Sequence, residues 1–136
     1  MNDVPGSSVE PSPRIDPSVR KLLIGIWKKY PSVALRMKRR AREIGAVWYA
    51  TTEMMEEFSK ATTEAMERRD EATVRGHLNH VSAVLSDADP KTFEYIDVYY
   101  VEVLMYDLDI ESKEWAWPLV PVNLQTLYLK FWGALK

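Results

Sequence analysis

Residues 89–108, DPKTFEYIDVYYVEVLMYDL, decide the fold class, because they admit two readings. The β-branched and aromatic run IDVYYVEV favours a strand by residue type alone. Strict alternation of apolar and polar residues fails, however, and the apolar pattern outlasts one ordinary strand. A helix accounts for the stretch better: Asp89 serves as N-cap, Pro90 takes the first helical position, and Phe93, Ile96, Tyr100, Val103, Leu104 and Leu108 recur at helical spacing. Read this way, the fifth helix is central and the chain is all-α.

The flanking sequence repeats that pattern. Upstream, Asp70 precedes Val74, Leu78, Val81 and Leu85, an amphipathic stripe that stops near Asp87. Residues 46–69 are rich in Glu, Met and Ala, with Trp48, Met55, Phe58, Thr62, Ala65 and Met66 as the buried stripe. A helix capped by Ser32 carries Leu35, Met37 and Ile44 and ends or kinks at Gly45. The first helix opens with Asp16 and Pro17, buries Val19, Leu22, Leu23, Ile26 and Tyr30, and ends before Pro31. Downstream, DIESKE reads as a polar turn, and the prolines of WAWPLVP prevent a regular helix. Pro121 then starts a last helix through Val122, Leu124, Leu127, Tyr128, Phe131 and Trp132. The expected architecture is an irregular bundle of five to six helices, one helical domain over residues 17–136. Before it, residues 1–16, rich in proline, glycine and serine, form a disordered tail.

Composition narrows the function. The chain has 136 residues, 46% apolar and 28% charged, a balance that supports an independent core. The absence of cysteine excludes disulfides, thiolate metal sites and a cysteine nucleophile, and suits a reducing compartment. No secretory leader pattern and no long apolar run occur, so a cytoplasmic protein with no membrane partner is expected. The formal net charge of −2 conceals segregation: Arg20–Arg42 holds nine basic and no acidic residues, whereas Asp87–Glu114 holds nine acidic residues and two lysines.

Catalytic patterns are missing. No G-x-S-x-G or S-x-x-K signature accompanies a serine, and the five glycines form neither phosphate-cradling motif. Glu53, Glu56 and Glu57 fall on a polar helix surface, where solvated charge is expected. His77 and His80 share a helix at three-residue spacing without an apparent third ligand, so they read as boundary histidines and no metal or other cofactor is assigned. A binding protein rather than an enzyme follows.

Two surfaces compete for the partner. The basic run of Arg36, Lys38, Arg39, Arg40 and Arg42 offers contacts to nucleic acid, in a regulatory or nucleic-acid-binding module. Against it stand the negative total charge, the lack of aromatics within the run and the lack of a helix-turn-helix pattern. The other surface is acidic and aromatic. Asp97 and Asp107 fall within the apolar arc of the fifth helix, where each either pairs with an arginine of the second helix, the simpler solution, or faces a basic partner. Tyr95, Tyr99, Glu102 and Tyr106 line another side, and Trp115 and Trp117 lie in the proline-bearing segment as possible anchors. Tyrosine core packing, and a homodimer through exposed apolar residues, remain open alternatives.

The runs EYIDVYYVEVL and WPLVPVNLQTLYLKFW resemble those of small helical bacterial domains encoded beside polymorphic toxins, over Val19 to Trp132. The resemblance rests on apolar spacing with a few polar positions and brings no catalytic residue with it. It implies an immunity protein, a cytosolic antitoxin that covers a functional surface of its cognate toxin. Because many such toxins present basic clefts, Asp97, Glu102, Asp107, Asp109 and Glu111 become the expected steering residues.

Overall fold

A computed structural model describes residues 15–45 and 50–135, and all structural statements concern these. They form seven α-helices and no strand. Helix α1 spans Pro17–Lys29, with the Asp16 carboxylate accepting the Ser18 amide and Pro17 in the first turn. Asp16 is the expected cap and Ile15 packs on the core, while residues 1–14 of the expected tail lie outside the described residues.

Helix α2, Pro31–Glu43, begins one residue before the expected cap. Pro31 occupies the first turn and Tyr30 the cap position without a side-chain bond, so Ser32 is not the cap. Its buried stripe is Val33, Met37 and Ala41, while Leu35 is 64% exposed and Ile44 also faces solvent. Gly45, at φ +67°, ends the helix in a conformation that suits glycine.

Helix α3, Thr51–Glu67, buries Met54, Met55, Phe58, Ser59, Thr62, Ala65 and Met66. Trp48, expected on the same stripe, lies outside the described residues. Helix α4, Glu71–Ser86, is capped by Asp70 through the Thr73 amide and hydroxyl and buries Val74, His77, Leu78, Val81 and Leu85.

Helix α5 is shorter than the sequence suggests. It covers Pro90–Ile96, capped by Asp89, whose carboxylate also accepts the Ser18 hydroxyl and so ties α5 to α1. From Asp97 to Val101 the chain widens into a π-helical turn, then passes through tight turns to Leu108. The strand reading of this stretch is thereby excluded. The central element is not this segment but α3, which packs against α2, α4, α5, the π turn and the next helix.

That next helix corrects an expectation. Asp109 accepts the Ser112 amide at 2.7 Å and starts α6, Ile110–Ala116, where a polar turn was expected. A 3-10 turn over Trp117–Leu119 absorbs Pro118, and α7 runs Val122–Trp132 to Gly133 at φ +79°. Helix α7 buries Leu124, Leu127 and Tyr128, leaving Val122, Phe131 and Trp132 exposed.

Candidate functional site

Three polar residues of α3 organise the irregular segment beside it. A π turn leaves backbone groups without their usual partners, and buried groups of that kind must bond elsewhere. The Ser59 hydroxyl donates to the Tyr100 carbonyl at 2.7 Å, and Thr63 Oγ1 accepts the Met105 amide at 2.9 Å. Between them, Thr62 Oγ1 lies 2.8 Å from the Tyr100 hydroxyl and 2.9 Å from His77 Nδ1. His77 was expected at the boundary and is instead in the core, 4% exposed. Burial lowers its pKa to about 4, and it stacks edge-on against Tyr30 and Phe58. Among the described residues, no three His, Asp or Glu side chains converge as metal ligands would.

Pinned this way, the chain turns a corner at Met105–Asp107. Met105 and Asp107 both adopt left-handed backbone, at φ +63° and +62°, which costs side-chain-bearing residues conformational energy. The corner buries Met105 fully and turns Tyr106 outward to 62% exposure. A cavity lies on either side of it. One, of about 280 Å³, is lined by Lys60, Glu64 and Glu67 of α3 together with Val103, Tyr106, Asp107 and Leu108. The other, of about 230 Å³, lies between Tyr106, Asp107, Lys113, Tyr128 and Trp132.

Helix α7 completes this surface. The Trp132 indole donates to the Glu102 carbonyl at 3.2 Å, which seats the end of α7 against the π segment. Phe131 meets Trp132 edge-on at 5.1 Å and is itself 51% exposed. Tyr106, Phe131 and Trp132 thus stand exposed beside Asp107 and the half-buried Glu102, whose pKa is raised by burial and secondarily by Asp97. The arrangement offers a large exposed aromatic area with carboxylates beside it.

The structure divides the residues expected on the acidic aromatic surface. Tyr106 and Asp107 lie at the exposed corner, Glu102 beside it, and Glu111 is exposed in the first turn of α6. Tyr95 and Tyr99 are half-buried: their rings stack at 5.0 Å and the Tyr95 hydroxyl lies 2.9 Å from Thr51 Oγ1. Trp115 packs beneath the Arg69 guanidinium, and Trp117 packs against Tyr128. Asp109 is a helix cap, with its pKa lowered by the Ser112 backbone and side-chain hydrogen bonds. Asp97 is half-buried and Asp107 exposed, and among the described residues neither pairs with an arginine as expected.

Of the arginines of α2, any of which was expected to serve those aspartates, Arg36 and Arg40 are engaged elsewhere. Arg36 bonds Glu64 at 2.7 Å and Glu57 at 3.2 Å, bridging α2 to α3 and depressing the Glu64 pKa. Glu57, expected to be solvated, is only 13% exposed and also meets Lys60 at 3.5 Å. Arg40 approaches Glu43 at 3.8 Å, while Lys38, Arg39 and Arg42 are exposed without an ion pair among the described residues. The basic run is therefore split by its ion pairs.

Sequence reasoning expected Phe131 and Trp132 on the docked stripe of the last helix and so missed them as surface residues. Their signal was the aromatic pair at the end of a helix whose buried positions were already supplied by Leu124, Leu127 and Tyr128.

Compared with known protein families, residues 25–133 match a domain of unknown function, DUF7674. The chain belongs to this family. The DUF7674 match runs from the second half of α1 to just past α7, so it includes the corner, both flanking cavities and the aromatic end of α7. No curated protein and no solved structure matches the chain.

Proposed function

We propose that this chain works by binding another protein through the Tyr106 corner, and that it is a cytoplasmic immunity protein covering a basic functional surface of a cognate toxin. One observation carries the reading: a strained backbone corner, pinned to α3 by Thr63, holds a tyrosine 62% exposed between two cavities and beside exposed Phe131 and Trp132. Strain retained in a structure marks a place where function favours it, and aromatic anchors in desolvated centres dominate binding energy. Asp107, Glu102 and Glu111 supply the negative field that would steer a basic partner. The resemblance of EYIDVYYVEVL and WPLVPVNLQTLYLKFW to domains encoded beside toxins supports the partner's class.

The test begins with the tagged full chain expressed in its native host and identification of a stoichiometric partner at moderate salt. With that partner in hand, Tyr106→Ala weakens binding by about thirtyfold, equivalent to roughly 2 kcal/mol, with thermal stability nearly unchanged, and Trp132→Ala weakens it by about as much while also loosening the end of α7. Charge reversal at Asp107 slows association and flattens its salt dependence. Asp109 is a poorer choice, because its reversal also removes a helix cap worth about 1 kcal/mol. A toxin-like partner bound equally well by all three variants would refute the surface. Recovery of nucleic acid instead would redirect attention to Lys38, Arg39 and Arg42.

A further inference from the structure

A second cavity system lies far in sequence from the Tyr106 corner, between α1, α2 and the start of α3. It has a volume of about 320 Å³ and is walled by Leu23, Trp27, Met37, Ala41 and Met54. On α2 the lining residues Ala34, Met37, Lys38 and Ala41 follow helical spacing, so one stripe of that helix faces the space. The two alanines on this stripe provide room that longer side chains would fill.

Among the described residues, the few polar groups in the wall are already engaged, with one exception. The Trp27 indole N–H donates to Met37 Sδ at 3.0 Å, and the Thr51 hydroxyl is shared with Tyr95 at 2.9 Å. Among the described residues that line the cavity there is no carboxylate, and Lys38 is the one ionisable residue. Lys38 has no ion pair among the described residues, and Arg42 stands exposed one turn further along α2. A space of this kind gives water too few hydrogen-bonding partners, and its walls gain dispersion contacts when an apolar group enters. Its size falls at the lower end of small-ligand sites.

We propose that this cavity binds a medium-chain aliphatic carboxylate, a free fatty acid, with the chain between α1 and α2 and the carboxylate on the Lys38 ammonium. The head is an anion because the only unengaged polar side chain among the described lining residues is the Lys38 ammonium, and the tail is aliphatic because the other described side chains are apolar or already hydrogen-bonded. This ligand is independent of the protein partner proposed for the Tyr106 corner, since the two sites share no residue.

Isothermal titration of the full chain with decanoate, below its micellar concentration, tests the proposal. The expected result is saturable one-to-one binding, with decanol at least tenfold weaker. Lys38→Gln should abolish that preference for the acid, and Ala34→Phe, at a half-buried position, should weaken both ligands at least tenfold while preserving the circular dichroism spectrum. Should Ala34→Phe misfold, the acid-to-alcohol ratio in Lys38→Gln still decides. Absence of saturable decanoate binding, or equal binding of decanoate and decanol by the unaltered chain, overturns the proposal. Binding gained only in Trp48→Ala would assign the space to the chain's own side chain, and likewise overturns it.

Discussion

Helices α3 and α4 and the segment Pro90–Leu108 enclose the same core by different means. In α3 and α4 the amides past the first turn find their partners along the helix itself, Asp70 caps the start of α4, and the buried stripes at helical spacing need only meet each other. Past Ile96 the second region abandons that self-sufficiency. Its π turn and left-handed corner depend on Ser59, Thr62 and Thr63 of α3 for the bonds they cannot make themselves. In exchange, the segment does what a regular helix does poorly, turning Met105 inward and Tyr106 outward within adjacent positions. Support from a regular element lets an irregular neighbour display a side chain.

The largest way to strain this comparison is to empty the regular part. Phe58, fully buried among Tyr30, His77 and Tyr100, should cost about 3–5 kcal/mol when replaced by alanine. Phe131→Ala, at the exposed end of α7, should cost less than about 1 kcal/mol, and denaturant unfolding of the pair measures the contrast. If both cost the same, α7 is not the peripheral surface described.

The dependence of the irregular segment on α3 is broken next by Thr62→Val, which leaves the Tyr100 hydroxyl and His77 Nδ1 without their shared partner. A loss of about 2 kcal/mol is expected, and the double variant Thr62→Val, Tyr100→Phe should lose less than the sum of its parts. Strict additivity in a double-mutant cycle would show that the hydroxyls do not act together.

His77, the other partner of Thr62, provides a third test through pH. Its pKa is lowered to about 4 in the fold, against about 6.5 when unfolded, so below pH 6.5 the unfolded chain takes up the proton first. Stability contributed by the neutral ring is complete above that range and is lost as pH falls toward 4, by about 2 kcal/mol at pH 5. Unfolding measured at pH 7.5 and 5 should show a smaller difference in His77→Gln than in the unaltered chain.

The smallest effect concerns the strain itself. Asp107→Gly places the permissive residue at φ +62° and should raise stability by about 0.5 kcal/mol while weakening association with a partner. A variant that is both more stable and equally competent in binding would detach the corner from function.

Much of the framework was legible because it is local. Asp16 with Pro17, Asp70, and Asp89 with Pro90 announced three helix starts, and the stripe Val74, Leu78, Val81 and Leu85 buries as its spacing requires. Asp109 carried the same local signal, an aspartate with Ser112 three residues on, but its acidic neighbourhood drew it into the binding surface instead. The aspartates of the fifth helix were placed by a regular wheel, and a π turn rotates later positions by about 100° for each inserted residue, so Asp107 leaves the arc drawn for it. Tyr106 was named from the sequence, whereas its partners Phe131 and Trp132 were assigned to the core because spacing says which residues share a helix face, not which neighbour covers it.

The sequence by itself determined an all-α chain, three of its helix caps, its segregated charge and its membership candidates for a tyrosine-bearing surface, since propensity, capping and periodicity act over a few residues. Only the tertiary structure decided that α3 is the hub, that Arg36 serves Glu57 and Glu64, and that the chain breaks into a π turn and a corner beside Ser59, Thr62 and Thr63. Those outcomes depend on side chains some forty residues apart satisfying each other's buried polar groups, a condition no local window contains.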